Sequence, residues 1–248
     1  TLFPYPTIFR SFASAVTGAL TAGWVDRPDP VFGLGFVLSR DEATRRMRRW
    51  IRGRRMAPFG LKDRSAEKVE GVYLPAYLYS ATAHTGYTAS IGEHYRDREK
   101  KKRTEYRHLA GKHATYVADV LVTASRGIPN DEVEGIEPFD LGRLARYTPG
   151  LVAGWISEEP SLSREECRRL GRQEASARID RMLHRFLPGD TVRDLRQGVE
   201  LTDESIDLTL VPLWVFAIRY DDEKPPIRVL VNGQTGKVFG KVPLSWAK

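Results

Sequence analysis

Hydrophobic and polar positions alternate most clearly late in the chain, where residues 208–240 read LTLVPLWVFAIRYDDEKPPIRVLVNGQTGKVFG. Ile227, Val229 and Val231 alternate with Arg228 and Leu230, the period of a strand with one face buried and the other partly covered. The run before it, carrying Pro212, Trp214, Phe216 and Tyr220, also reads as strand, and the break at residues 221–226 separates the two. Asn232-Gly233 tolerates the positive φ of a tight hairpin, Thr235-Gly236 offers a second permissive point, and Lys237-Val238-Phe239 closes an antiparallel β-meander. A proline removes a ladder donor, so Pro212 predicts an edge, a bulge or a bend. Trp214, Phe216 and Tyr220 are expected in the core rather than in an aromatic ligand box.

A helical period emerges twice. Ser39-Arg40-Asp41-Glu42 has the form of a capping box, Ala43, Met47, Trp50 and Ile51 follow at the spacing of one helical face, and Gly53 is a plausible stop. The opposite face holds Arg45, Arg48, Arg49 and Arg52, with Arg46 on the flank and Arg54 and Arg55 just beyond the end. A second box, Ser163-Arg164-Glu165-Glu166, opens a longer helix whose stripe runs through Cys167, Gly171, Ala175, Ile179, Met182 and Phe186 until Pro188-Gly189. Between the helices, residues 69–79 (VEGVYLPAYLY) read as a strand, 87–95 as its hairpin partner with Thr85-Gly86 near the turn, and 114–125 as a third strand. Residues 96–113, which hold Lys100, Lys101, Lys102 and Arg103, lack apolar periodicity and are predicted to be a mobile loop. Residues 147–155 read as a packed connector and 191–202 as a strand of modest hydrophobicity.

Each half therefore has a Ser-capped helix followed by a meander whose aromatic-rich strand contains a proline, Leu74-Pro75-Ala76-Tyr77 matching Val211-Pro212-Leu213-Trp214. The predicted class is α+β, two related modules of a helix on an antiparallel sheet, at residues 38–138 and 139–248, after an N-terminal element and linker at 1–37. The apolar stretch at 12–25 is shorter than the roughly 20 residues a spanning helix needs and is expected to be a buried helix or strand. No membrane span is predicted.

Composition sharpens this only a little. A net charge of +7, from 39 Lys and Arg against 32 Asp and Glu, favours phosphate or other anionic contacts and is equally met in ordinary basic proteins. The single cysteine excludes an intramolecular disulfide framework and any multi-cysteine zinc site, which points to a reducing, cytoplasmic compartment. The five histidines form no HExxH pair, and there is no GxSxG elbow, no GxGxxG fingerprint and no GxxxxGK[ST] loop. No cofactor is predicted, and no general acid or base can be assigned.

The pieces GVYLPAYLY, EPFDL followed by LVAGW, and VPLWVFAIRY with VNGQTGKVFGKVPLSW resemble bacterial proteins that usually carry an N-terminal zinc ribbon and are often labelled primosomal protein N′-like. VNGQTGKVFG is also similar to a PepSY-type hairpin. The chain departs from the family in having no CxxC pair. What the resemblance implies is a role inside a larger bacterial assembly, through a protein partner and with indirect membrane association. The expected function is a non-catalytic binding or scaffold module. The alternatives are a nucleic-acid-binding protein using Arg45, Arg48, Arg49, Arg52 and Arg55 with Lys100, Lys101, Lys102 and Arg103, and an enzyme with a pocket between the modules.

Overall fold

The computed structural model describes residues 29–54, 57–58, 60–62, 65–96, 100–221 and 223–242. The element expected at 12–25 lies outside them. Two very long strands carry the fold: β2 (Lys68–Arg96, 29 residues) and β6 (Thr191–Ile218, 28 residues). With β1 (Phe32–Gly33), β3 (Lys102–Thr123), β4 (Ala145–Arg146), β5 (Ile156–Ser157), β7 (Ile227–Asn232) and β8 (Val238–Gly240) they form one eight-stranded sheet of order β3-β2-β6-β1-β4, in which β5 joins β2, β7 joins β6 and β8 joins β7. The helices among the described residues are α1 (Arg40–Arg52), α2 (Asn130–Ile136), α3 (Pro149–Val152) and α4 (Arg164–Phe186). The mixture of helix and sheet expected from the sequence is present. The sheet itself is mixed rather than purely antiparallel, because β1 runs parallel to β6 and β5 parallel to β2.

Two strand predictions are corrected. Thr85-Gly86 is not a turn, since β2 passes through it unbroken, and residues 102–113 are strand rather than loop. Alternation is a signal of one-sided burial. Along this part of β3 nearly every residue is exposed or half-exposed, so the sequence there carries no apolar period to read.

Pro75 and Pro212 lie inside these long strands, each where the neighbour changes. β6 is bonded to β1 at Thr209 and Leu210 and to β7 from Leu213 onward, so Pro212 falls at the handover, where no amide donor is required. β5 meets β2 at Val72 and Tyr73, three residues before Pro75. The surrounding backbone bonds recur. Gly233 donates to Pro212 O (2.9 Å) and accepts from Val37 and Leu38 (3.0 and 2.9 Å), while Ala124 donates to Pro75 O (2.9 Å) and accepts from Ser161 and Leu162 (2.8 and 2.9 Å). Leu34 N to Leu210 O (2.9 Å) likewise has a counterpart in Glu158 N to Tyr73 O (3.0 Å).

The chain divides into two compact units, each assembled from separated segments: Thr1–Tyr77, Leu121–Cys167 and Asp207–Lys248 in one, Leu78–Val120 and Arg168–Ile206 in the other. In the first, Ala43, Met47 and Ile51 of α1 are buried against Trp214, Phe216, Ile218, Ile227, Val229 and Val231, and each Met, Ile, Val or Phe among them contributes about 1.5–3 kcal/mol on burial. In the second, Leu183 and Leu187 pack on Ala89 and Ile91. The stripe of α4 thus advances in steps of four to Leu183, and the predicted core positions Met182 and Phe186 are instead 36% and 52% exposed. Gly171 lets α4 approach the sheet, since a Cβ there would lie 2.7 Å from Tyr79 Cγ. In the β7–β8 turn the positive φ belongs to Gly236 (+73°) rather than to Gly233. Gly233 is needed for space, since a Cβ would come within 2.8 Å of both the Phe36 ring and Pro212 O.

Candidate functional site

Helix α1 gathers its charge on one face. Ser39 Oγ caps it by accepting from Glu42 N (3.3 Å), Asp41 and Glu42 lie in the first turn, and Arg49 and Arg52 in the last, so both ends complement the helix dipole. Because one face is held in the core, the other is fixed toward solvent, and Arg45, Arg48, Arg49 and Arg52 are all exposed. None of the four makes an ion pair among the described residues. Their neighbours have structural duties: Arg46 donates to Thr235 O (3.0 Å), and the Arg54 guanidinium lies 4.3 Å from the Trp50 ring centroid. Arg55 lies outside the described residues.

The second predicted basic set sits at the end of the β2–β3 ribbon, in the other unit. Lys100, Lys101, Lys102 and Arg103 are exposed, and Lys100 has a left-handed backbone (φ 60°). Around them the ribbon is tied by an Arg107–Glu93 ion pair (2.7 Å), a His94 Nδ1–Thr104 Oγ1 contact (2.8 Å) and Arg193 over the Tyr106 ring (4.4 Å). The arginines of α1 are brought together on one face and the lysines at one ribbon end.

Sequence reading missed two polar networks whose members are far apart in the chain. Ser125 Oγ donates to Glu158 Oε1 (2.5 Å) and accepts from Gly127 N and Ile128 N (2.9 and 3.3 Å). Beside it Arg228 bonds Glu132 Oε2 through Nε and Gly127 O through NH1 (2.9 and 2.5 Å). Burial pushes the Glu158 carboxyl above the usual range, against the Ser125 hydrogen bond and the Arg228 charge. The Ser125 hydroxyl is spent on the turn, so this is a loop lock and not a nucleophile facing a cavity. In the other unit Tyr79 OH donates to Glu204 Oε2 (2.7 Å), and Arg172 grips both Glu204 oxygens (2.7 and 2.5 Å). Arg172 holds the Glu204 carboxyl below its ordinary value, while burial and then the Glu204 bond raise the Tyr79 phenol.

Cys167 is a core residue as expected, its Sγ 3.6 Å from Thr123 O and its thiol pushed up to about 12 by burial. Among the described residues no three His, Cys, Asp or Glu side chains stand together as a metal ion would need, and no helix is long and apolar enough to cross a membrane. One partly exposed aromatic cluster escaped notice in the sequence: Trp155, 38% exposed, stacks on Phe36 at 4.0 Å with an interplanar angle of 10°, and lies edge-on to Trp214 at 5.7 Å. Trp214 is anchored beneath it by Nε1 donating to Leu38 O (3.0 Å).

No family model matches the chain, and no solved structure matches it. Over 224 residues, 88% of its length, the chain is 25% identical to the uncharacterized protein YdjG of Bacillus subtilis (strain 168). It spans 65% of that protein's length.

Proposed function

We propose that this chain is a non-catalytic binding module of a larger bacterial assembly, and that the arginine face of α1 meets its partner. The observation that carries this reading is four exposed guanidinium groups on one side of a helix whose other side is locked into the core. The helix fixes the spacing of the four Cα atoms, and each planar guanidinium fork can pair bidentately with a carboxylate, so several such contacts can form along one face. The resemblance to zinc-ribbon-associated proteins adds the larger assembly, in the cytoplasm and with indirect membrane association through the partner. Two related modules at residues 38–138 and 139–248 belong to the same reading. The recurrent bonds around Pro75 and Pro212 support them.

Nucleic-acid binding is the second reading, favoured by the basic end of the β2–β3 ribbon, because a two-stranded ribbon is an element that a major groove admits. Fluorescence anisotropy of labelled polyglutamate, single-stranded DNA and duplex DNA, titrated across salt, separates the two. The binding-module reading expects polyglutamate to bind and to lose at least tenfold in affinity in the Arg45→Gln, Arg48→Gln, Arg49→Gln, Arg52→Gln variant. Failure of polyglutamate to bind refutes it. DNA binding with a steep salt slope, flattened when Lys100, Lys101, Lys102 and Arg103 are neutralised, establishes the second reading instead.

A further inference from the structure

β3 lies at one end of the sheet and, among the described residues, is bonded to β2 alone, so its other side offers a row of backbone donors and acceptors. Over residues 102–116 the strand is largely exposed, and Tyr106 and Tyr116 stand 37% and 62% exposed on it. This stretch has four cations, Lys102, Arg103, Arg107 and Lys112, against one anion, Glu105. An excess of positive edge charge opposes pairing with a second copy of the same strand, because like charges placed opposite each other are destabilising. The same charges attract an acidic strand.

A second feature adjoins this edge. A shallow, solvent-open depression of about 580 Å3 is lined by residues of β2, β3 and β6, with Gly86, Gly111 and Gly198 leaving its floor low and Lys112 and Arg196 supplying positive charge. A Cβ at Gly111 would lie 2.6 Å from Tyr87 Oη, and Cβ atoms at Gly86 and Gly198 would meet nothing within 4 Å.

We propose that the free edge of β3 is a docking strand for an extended acidic segment of a partner protein, which adds to the sheet beside β3 and sets a carboxylate in the depression next to Lys112. Main-chain bonds along the edge supply affinity, and the depression selects the side chain carried by alternate residues of the added strand. The inference rests on the protein-binding reading above and gives the partner its chemistry.

The test is anisotropy with the full chain and a fluorescein-labelled decapeptide of alternating Glu and Val, alongside the same peptide N-methylated at alternate residues. The unmodified peptide is expected to bind at low salt and the methylated one at least tenfold more weakly, since methylation removes amide donors and keeps the charge. Lys112→Glu should weaken binding at least tenfold with an unchanged thermal melt. Successive amides of a strand point to opposite edges, so one of Ala114→Pro and Thr115→Pro should keep the melt and lose the peptide.

Equal binding of both peptides would overturn the edge proposal. So would loss of the decapeptide in the four-arginine α1 variant without effect of Lys112→Glu, a result that leaves the binding-module reading standing. Absence of binding by both polyglutamate and the decapeptide removes both proposals, and binding of duplex DNA in place of either peptide assigns the ribbon to nucleic acid.

Discussion

Glu158 has one oxygen held by Ser125 and the other, buried, with no partner among the described residues. Its folded pKa is raised, so the fold favours the neutral acid: this group's contribution to stability is complete below the unfolded pKa near 4 and is lost as pH rises through the folded pKa. Glu158→Gln keeps an acceptor for Ser125 and removes the buried charge. Urea melts should show the variant more stable than the parent at pH 7, with the difference closing toward pH 4; a less stable variant at pH 7 would mean that the Arg228 attraction outweighs burial. Gly171→Ala probes a different limit. It gains up to about 1 kcal/mol of helix propensity, yet its methyl would press on a Tyr79 ring fixed by Glu204, and a net loss of about 1–3 kcal/mol is expected in the same melts. At this scale the sequence reveals residues whose role is local. Cys167, Trp214 and Phe216 are core in both readings. Ser125, Glu158 and Arg228 stand at positions that no spacing rule connects, so their network becomes visible only when the chain is folded.

Both helix starts were legible because a capping box is written in four consecutive residues, but the two close differently. At α4 the Ser163 Oγ accepts from Glu166 N (3.2 Å) while Glu166 Oε2 receives Ser163 N (2.8 Å), a reciprocal pair; at α1 only the forward bond from Glu42 N forms among the described residues. Ser163→Ala is therefore expected to cost more than Ser39→Ala within the usual range of about 0.5–2 kcal/mol, as read by chemical denaturation of the two variants. The arginine face was equally legible, since helical spacing alone puts Arg45, Arg48, Arg49 and Arg52 on one side. Strand ends were not. A turn was read at Gly86 because glycine marks many turns, although here it is an exposed position within an unbroken strand whose Thr85, Ala89 and Ile91 are buried, and the two-residue strands β1, β4 and β5 are too short to leave a period. For the prolines the reading was an edge, a bulge or a bend at Pro212, where β6 passes from β1 to β7. What they could not signal is that the interruption is a change of neighbour inside a long buried strand.

Neither compact unit is contiguous, and the sheet that faces α1 comes from the other end of the chain. A fragment of residues 29–138 would keep α1 and lose Trp214, Phe216, Ile218, Ile227, Val229 and Val231, so it should show no cooperative thermal transition alone and regain one when residues 139–242 are supplied separately. A cooperative melt of the first fragment by itself would contradict that dependence. The pairing of Phe32 with Thr209 has a further consequence in time. On the ribosome the partner of β1 is made roughly 180 residues after β1 itself, which at about 5–20 residues per second is on the order of 10–35 s. Through that interval the apolar side of α1 has no sheet to cover it, and the nascent chain is a natural client for a holdase at the tunnel exit.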